Sequence, residues 1–275
     1  MIFPRLIWSA LAAALLVGTV QSGIQKWQAV PIVLAAEVYE GQRLEAPSAP
    51  ASVQAHVHAE GVAPEPVHAH STVQEWTPAE GAERMFWTWT ANALHAFSMA
   101  LLVFAVMGVC LWRGTAQRSL PLALLVASAG WLSFHFWPSL GLPAEIPGMD
   151  AARMGSRQGW WVLAAVSAGL ACALPAVWRS PLRWAAAAAW LALPFVVGAP
   201  LITADPLAGF SGDAQAQLRE LGTQFVWATT WVSVSFWLAM GLVCGPAFQR
   251  WLRPVLQATF ESSQPNAPVS KAVNP

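Results

Sequence analysis

The chain has 275 residues, 56% of them hydrophobic and only 10% charged, with a formal net charge of zero. Soluble domains of this size carry about 25% charged residues, so the composition excludes an ordinary cytosolic protein and points to lipid as the solvent. Seventeen Trp against one Tyr fit a chain with many side chains at membrane interfaces.

Six apolar segments approach the roughly 20 residues that a spanning helix needs. They are 6–24, 86–112, 120–137, 160–178, 184–202 and 225–245, and none contains Lys, Arg, Asp or Glu. Each is apolar on all faces, as expected of helices surrounded by lipid and by one another. The first has the look of a signal peptide. Val20-Gln21-Ser22 is a poor cleavage site, however, so the segment reads as a retained anchor. The expected fold class is all-α, a polytopic membrane bundle of six spans. Residues 1–25 form the anchor, 26–85 an outward-facing loop rich in His, Pro and Glu and weakly ordered over 45–80, 86–245 a five-span core and 246–275 a cytoplasmic tail that is solvated after Phe260.

The loops set the orientation. One side collects Arg5, Arg113, Arg118, Arg179, Arg183, Arg250, Arg253 and Lys271 against the single acid Glu261. The other side holds six basic residues and thirteen of the fourteen acids, a formal charge near −7. By the positive-inside rule both termini are cytoplasmic, and the loop 26–85 faces outward with loops 138–159 and 203–224.

Within the outward loop, His56 and His58 form one His-x-His pair and His68 and His70 a second, beside Glu60 and Glu65. Imidazoles suit divalent first-row metals, and the acids concentrate cations at the surface. The same residues equally describe a plain solvated loop. Two further histidines lie inside spans. His95 has Met99 one turn on, offering nitrogen and sulfur on one helix face, and His135 is close to the outer end of its span. Ionisable groups in a bilayer usually face the bundle interior or a water-filled path. Joint ligation of a haem by His95 and His135 needs both rings at one depth, and their positions differ by roughly 9 Å.

Two proline-rich loops, around Pro138, Pro143, Pro147 and Gly148 and around Gly198, Pro200 and Pro206, interrupt the spans. Irregular backbone near membrane depth needs protein or water to satisfy it, so both are candidates to line an outer vestibule. Cys110, Cys172 and Cys244 show no CxxC spacing and read as small apolar side chains. There is no nucleophile elbow, Walker loop or HExxH motif. No enzyme, no cofactor and no nucleic-acid partner are therefore expected, and any transport is secondary or powered by another subunit.

Three ordered blocks carry a family resemblance. Gln28 to Glu40 after a short first span resembles the start of the CbtA-type cobalt transporter subunits. Pro143, Glu145, Pro147 and Gly148, followed by Arg157, Gln158, Trp160 and Trp161, resemble that family's most distinctive stretch. Leu193 and Pro194 with Gly198 and Pro200 resemble a third block. The histidine-bearing loop and the tail lie outside these blocks. Ala144 and Ile146 stand where the family favours Pro and Leu, and Phe195 where a His is frequent. The resemblance implies a bacterial inner-membrane importer of Co²⁺, with Ni²⁺ the alternative ion, serving cobalamin synthesis. It also implies a small single-span partner with its own histidine motif, of the CbtB type. The family is described with five spans, against the six segments counted above. Together these readings route Co²⁺ past Glu145, Asp205 and Asp150 at the vestibule, then His135, His95 and Met99. Arg157 pairs with Glu145 or Asp150 in this scheme, and Trp160 and Trp161 anchor the fourth span at the outer interface. A non-transporting membrane scaffold for the small partner is the other reading.

Overall fold

The computed structural model of the chain describes residues 2–42, 78–79, 81–114 and 117–263. The order of helices is α1 (Ile2–Gln28), α2 (Val30–Glu37), α3 (Ala82–Trp112), α4 (Ser119–Trp131), α5 (Trp137–Ser139), α6 (Met154–Val177), α7 (Leu182–Val197), α8 (Gly212–Ala247) and α9 (Arg253–Ser263). A π turn, Leu132–Phe136, joins α4 to α5, and a second, Phe248–Leu252, joins α8 to α9. Each π turn ends two residues before a proline, Pro138 or Pro254. Proline lacks an N–H, and its ring crowds the carbonyl four residues back; widening the turn relieves that crowding, and the Trp137 N–H donates to the Leu132 carbonyl instead.

Small residues set the helix spacing. Lipid gives no hydrophobic drive for helices to associate, so close van der Waals contact must do so, and small side chains permit it. Ala10, Ala14 and Gly18 recur every fourth residue on α1, with Ala10 and Ala14 buried, and they face Ala96 and Ala100 of α3. A Cβ on Gly18 would lie 2.8 Å from the Ala93 Cα. Gly241 and Gly245 do the same on α8, against Leu124 and Leu120 of α4. The main core lies where α1, α3, α4 and α8 meet, around Val17, Phe104, Met107, Trp237, Met240 and Phe248.

Among the described residues, five helical stretches are long and apolar enough to cross a membrane: α1, α3, α4 with α5, α6, and α8 with α9. The sixth apolar segment is α7, with 16 residues, or about 24 Å at 1.5 Å per residue. It forms a hairpin with α6. The Trp160 indole N–H, six residues into α6, donates to the Pro194 carbonyl near the far end of α7 at 2.9 Å. The return therefore covers most of the length of α6, which accounts for five long helices and six passages of the chain. One end of the bundle carries the arginines of the α3–α4 and α6–α7 connections, and the other carries the two proline-rich loops.

The loop end is built differently from the expectation. Residues 26–85 are not loop throughout: α1 runs on to Gln28, α2 follows, and α3 begins at Ala82. The reason is a second, smaller core. With 36 residues, α8 is about 54 Å long and outruns a hydrocarbon layer of about 30 Å. Its projecting first turns bury Leu218 against Ala36 of α2, with Ile146, Leu207 and Phe210 from the loops. Arg84 of α3 holds Glu37 of α2 at 2.7 Å, and the Tyr39 hydroxyl bonds the Gln217 side chain. Beyond the core, helix continues into the tail as far as Ser263. The paired histidines His56, His58, His68 and His70 lie outside the described residues.

Candidate metal pathway

The two proline-rich loops close over one cavity of about 410 Å³, lined by Pro143, Glu145, Asp150, Pro200, Asp205 and, from α8, Arg219. Its carboxylates are already engaged. Glu145 Oε2 meets Arg157 Nη2 at 2.5 Å, one of the two pairings expected for that arginine. Asp205 Oδ1 accepts the Leu207 N–H at 3.0 Å, closing an Asx turn. Its Oδ2 accepts from Arg219 at 2.8 Å and from Gln215 at 3.2 Å. The Asp150 N–H donates to the Pro206 carbonyl at 2.8 Å, tying one loop to the other. An ion passing here competes with two guanidinium groups.

The motif residues shape these loops. Gly148 has a φ of +85°, which side chains rarely adopt, and a Cβ there would sit 3.2 Å from the Phe210 ring. Gly198 has a φ of +87° where α7 ends. Gln158 is exposed on α6, and Pro147 leads into the Gly148 turn. Trp160 corrects the expectation that it anchors the span in the lipid interface. It is only 4% exposed, lies against Gly141, and packs its ring 5.9 Å from Phe195. The Pro194 carbonyl takes the Gly198 N–H at 3.0 Å and the Trp160 indole N–H as a second donor, and the Trp137 indole donates to the Leu191 carbonyl at 3.0 Å. Phe195 thus completes an aromatic cluster with Trp137 and Trp160. Trp161, 38% exposed, turns the other way, onto Phe134 at 6.1 Å.

A larger cavity of about 630 Å³ lies deeper, among α1, α2, α3, α6, α8 and the first π turn. His95, Met99 and His135 all line it. Their helices thus bring together three groups separated by up to forty positions in the chain. The His95 ring lies 5.1 Å from Phe236, and the His135 ring 6.4 Å from Trp131. His135 belongs to the π turn, a feature often found at functional sites. Gln21 and Gln25 from α1 and Thr229 and Ser233 from α8 add uncharged polar groups to the lining. Sequence reasoning missed these four, because it followed charges and histidines through the spans. The polar run Gln21, Ser22, Gln25 in a segment that needs only to be apolar was the available signal. Arg84 stands at the rim, its charge balanced by Glu37.

Among the described residues, no three His, Cys, Asp or Glu side chains gather into a metal cage. The donors are spread along two cavities, an arrangement suited to binding that is weak enough to release. Because Glu145 and Asp205 already have partners, Glu145→Gln and Asp205→Asn are each expected to weaken Co²⁺ uptake by less than about fivefold, the scale of a partly exposed ion pair. Initial uptake rates against Co²⁺ concentration measure this.

No curated protein and no solved structure matches the chain. The family model described as "Probable cobalt transporter subunit (CbtA)" matches residues 3–249. That range takes in all three sequence blocks, extends across positions 56–70, and stops short of the tail. The match covers most of the length of this helical bundle, and the chain belongs to the CbtA family of probable cobalt transporter subunits.

Proposed function

We propose that this chain is the membrane subunit through which Co²⁺ enters a bacterial cell across the inner membrane, supplying cobalamin biosynthesis. The observation that carries the reading is the convergence of His95, Met99 and His135 on one cavity within the bundle. Nitrogen and thioether donors favour later first-row cations over Mg²⁺ and Ca²⁺, which prefer all-oxygen sites. Ni²⁺ shares this chemistry and is the competing cargo. In this reading the loop end faces outward and the arginine-rich end faces the cytoplasm. The ion enters by the cavity under the proline-rich loops and continues to the histidine cavity. The subunit works with a small single-span partner of the CbtB type, which carries its own histidine motif.

Cells lacking other cobalt uptake, expressing this chain with such a partner, are expected to accumulate radiolabelled Co²⁺. Absence of accumulation over cells without the chain overturns the transport reading and leaves a membrane scaffold. The paired histidines His56, His58, His68 and His70 serve in this scheme as an accessory collector of cations. Deleting residues 56–70 is expected to slow uptake at low Co²⁺ and leave it unchanged at saturation. Complete loss at every concentration would give the loop a central role.

A further inference from the structure

Gln21 and Gln25 lie one turn apart on α1 and line the same cavity, yet their amides are treated differently. Gln25 Oε1 accepts from Asn92 Nδ2 at 2.6 Å, and the same Asn92 nitrogen donates to Ser22 Oγ at 2.9 Å. Gln21 is only 9% exposed, and its Oε1 is buried with no hydrogen-bond partner. On the π turn, His135 Nε2 is likewise buried without a partner. Buried polar atoms in native proteins are nearly always satisfied, so two orphans on one cavity require an explanation.

Their chemistry narrows it. A glutamine carbonyl oxygen only accepts, and imidazole Nε2 accepts in the tautomer that carries its proton on Nδ1. Two acceptors on one cavity call for a guest that brings hydrogen-bond donors or positive charge, and a cation with its bound water brings both. Among the described residues the one charged side chain in the lining, Arg84, is held by Glu37 at 2.7 Å and so does not cancel the attraction. An amide oxygen, imidazoles and a thioether lining one cavity make a mixed, uncharged donor set, which suits a borderline divalent cation that keeps some of its water.

We propose that Gln21 is a ligand of the transported ion: its Oε1 and His135 Nε2 bind a partly hydrated divalent first-row cation, with His95 and Met99 supplying further donors in the same cavity. The inference rests on the reading of this cavity as the ion path, and it adds an oxygen ligand from α1. A neutral ligand binds the ion without trapping it, which gives glutamine rather than glutamate a functional reason to stand here.

The test is equilibrium binding of radiolabelled Co²⁺ to the purified full chain in detergent. It compares wild type, Gln21→Leu, Gln21→Glu and the His95→Ala, His135→Ala double variant. Gln21→Leu is expected to weaken binding about tenfold or more, the scale on which groups around a metal act. Gln21→Glu, of the same size and carrying an anionic oxygen, is expected to tighten binding and to slow uptake by delaying release. Weak binding in the double variant with wild-type binding in both Gln21 variants overturns the role of Gln21 and keeps the cavity as the ion path. Binding by the double variant equal to wild type, or none by wild type, overturns the cavity reading and the inference with it. If Gln21→Leu does not fold, Gln21→Glu decides: unchanged or weaker binding overturns the proposal.

Discussion

Cells expressing the His95→Ala, His135→Ala double variant are expected to accumulate less than about a tenth of the Co²⁺ taken up with wild type. The reasoning starts from the cavity. Its nitrogen donors are these two rings, one from α3 and one from the π turn after α4. Partners that merely orient metal ligands are worth 10–100-fold in affinity, so losing two ligands has at least that effect. The fold should tolerate the change. Among the described residues neither ring hydrogen-bonds to the protein, and His135 Nε2 is buried with no partner at all. What is lost is the contact of His95 with Phe236 and of His135 with Trp131. Membrane expression and the thermal midpoint in detergent should therefore stay close to wild type while uptake collapses. Normal uptake by the double variant would show that the ion takes another route.

The second large effect is on stability. Gly130→Ala is expected to destabilise the bundle by about 1–3 kcal/mol or more, as overpacking of a dense interior does. A Cβ at Gly130 would lie 2.3 Å from Cζ3 and 2.4 Å from Cη2 of Trp237. The indole has little room to yield. It is only 5% exposed, stacked against Phe134 at 6.0 Å and edge-on to Phe236 at 5.4 Å. The strain then passes to the seam between α4 and α8. Because Phe134, Phe236 and Trp237 also line the histidine cavity, Co²⁺ binding should fall together with the thermal midpoint. Gly159→Ala in α6 is the control. Nothing lies within 4 Å of its added Cβ, and alanine favours helix over glycine by up to about 1 kcal/mol, so this variant should be unchanged or slightly more stable. Equal losses in both variants would show that glycine flexibility, rather than the close approach to Trp237, is what matters.

The spans, the proline-rich breaks and the one-sided distribution of arginine were legible in the linear sequence, because lipid imposes them locally. A bilayer forces each crossing segment to satisfy its own backbone and to exclude charge, and both demands act on contiguous residues. The family resemblance was legible for the same reason, since its blocks are short and contiguous. Other features depend on residues that meet only after folding. Residues 30–37 fall in the outward loop by position alone, and they form a helix that buries Ala36 against Leu218, about 180 positions away on α8. Trp160 looked like an interface anchor and is buried, because α7 folds back on α6 and brings Phe195 and the Pro194 carbonyl against its ring. Glu145 holds Arg157, one of the two pairings expected from the sequence, whereas Asp205 looked like an open ligand and holds Arg219. His95 and His135 differ in estimated depth, yet one cavity of about 630 Å³ is large enough to include both. In the sequence Gln21 is marked only as part of the polar run Gln21, Ser22 and Gln25. Its importance follows from a missing partner, and which partners a buried atom lacks is decided by every helix packed around it.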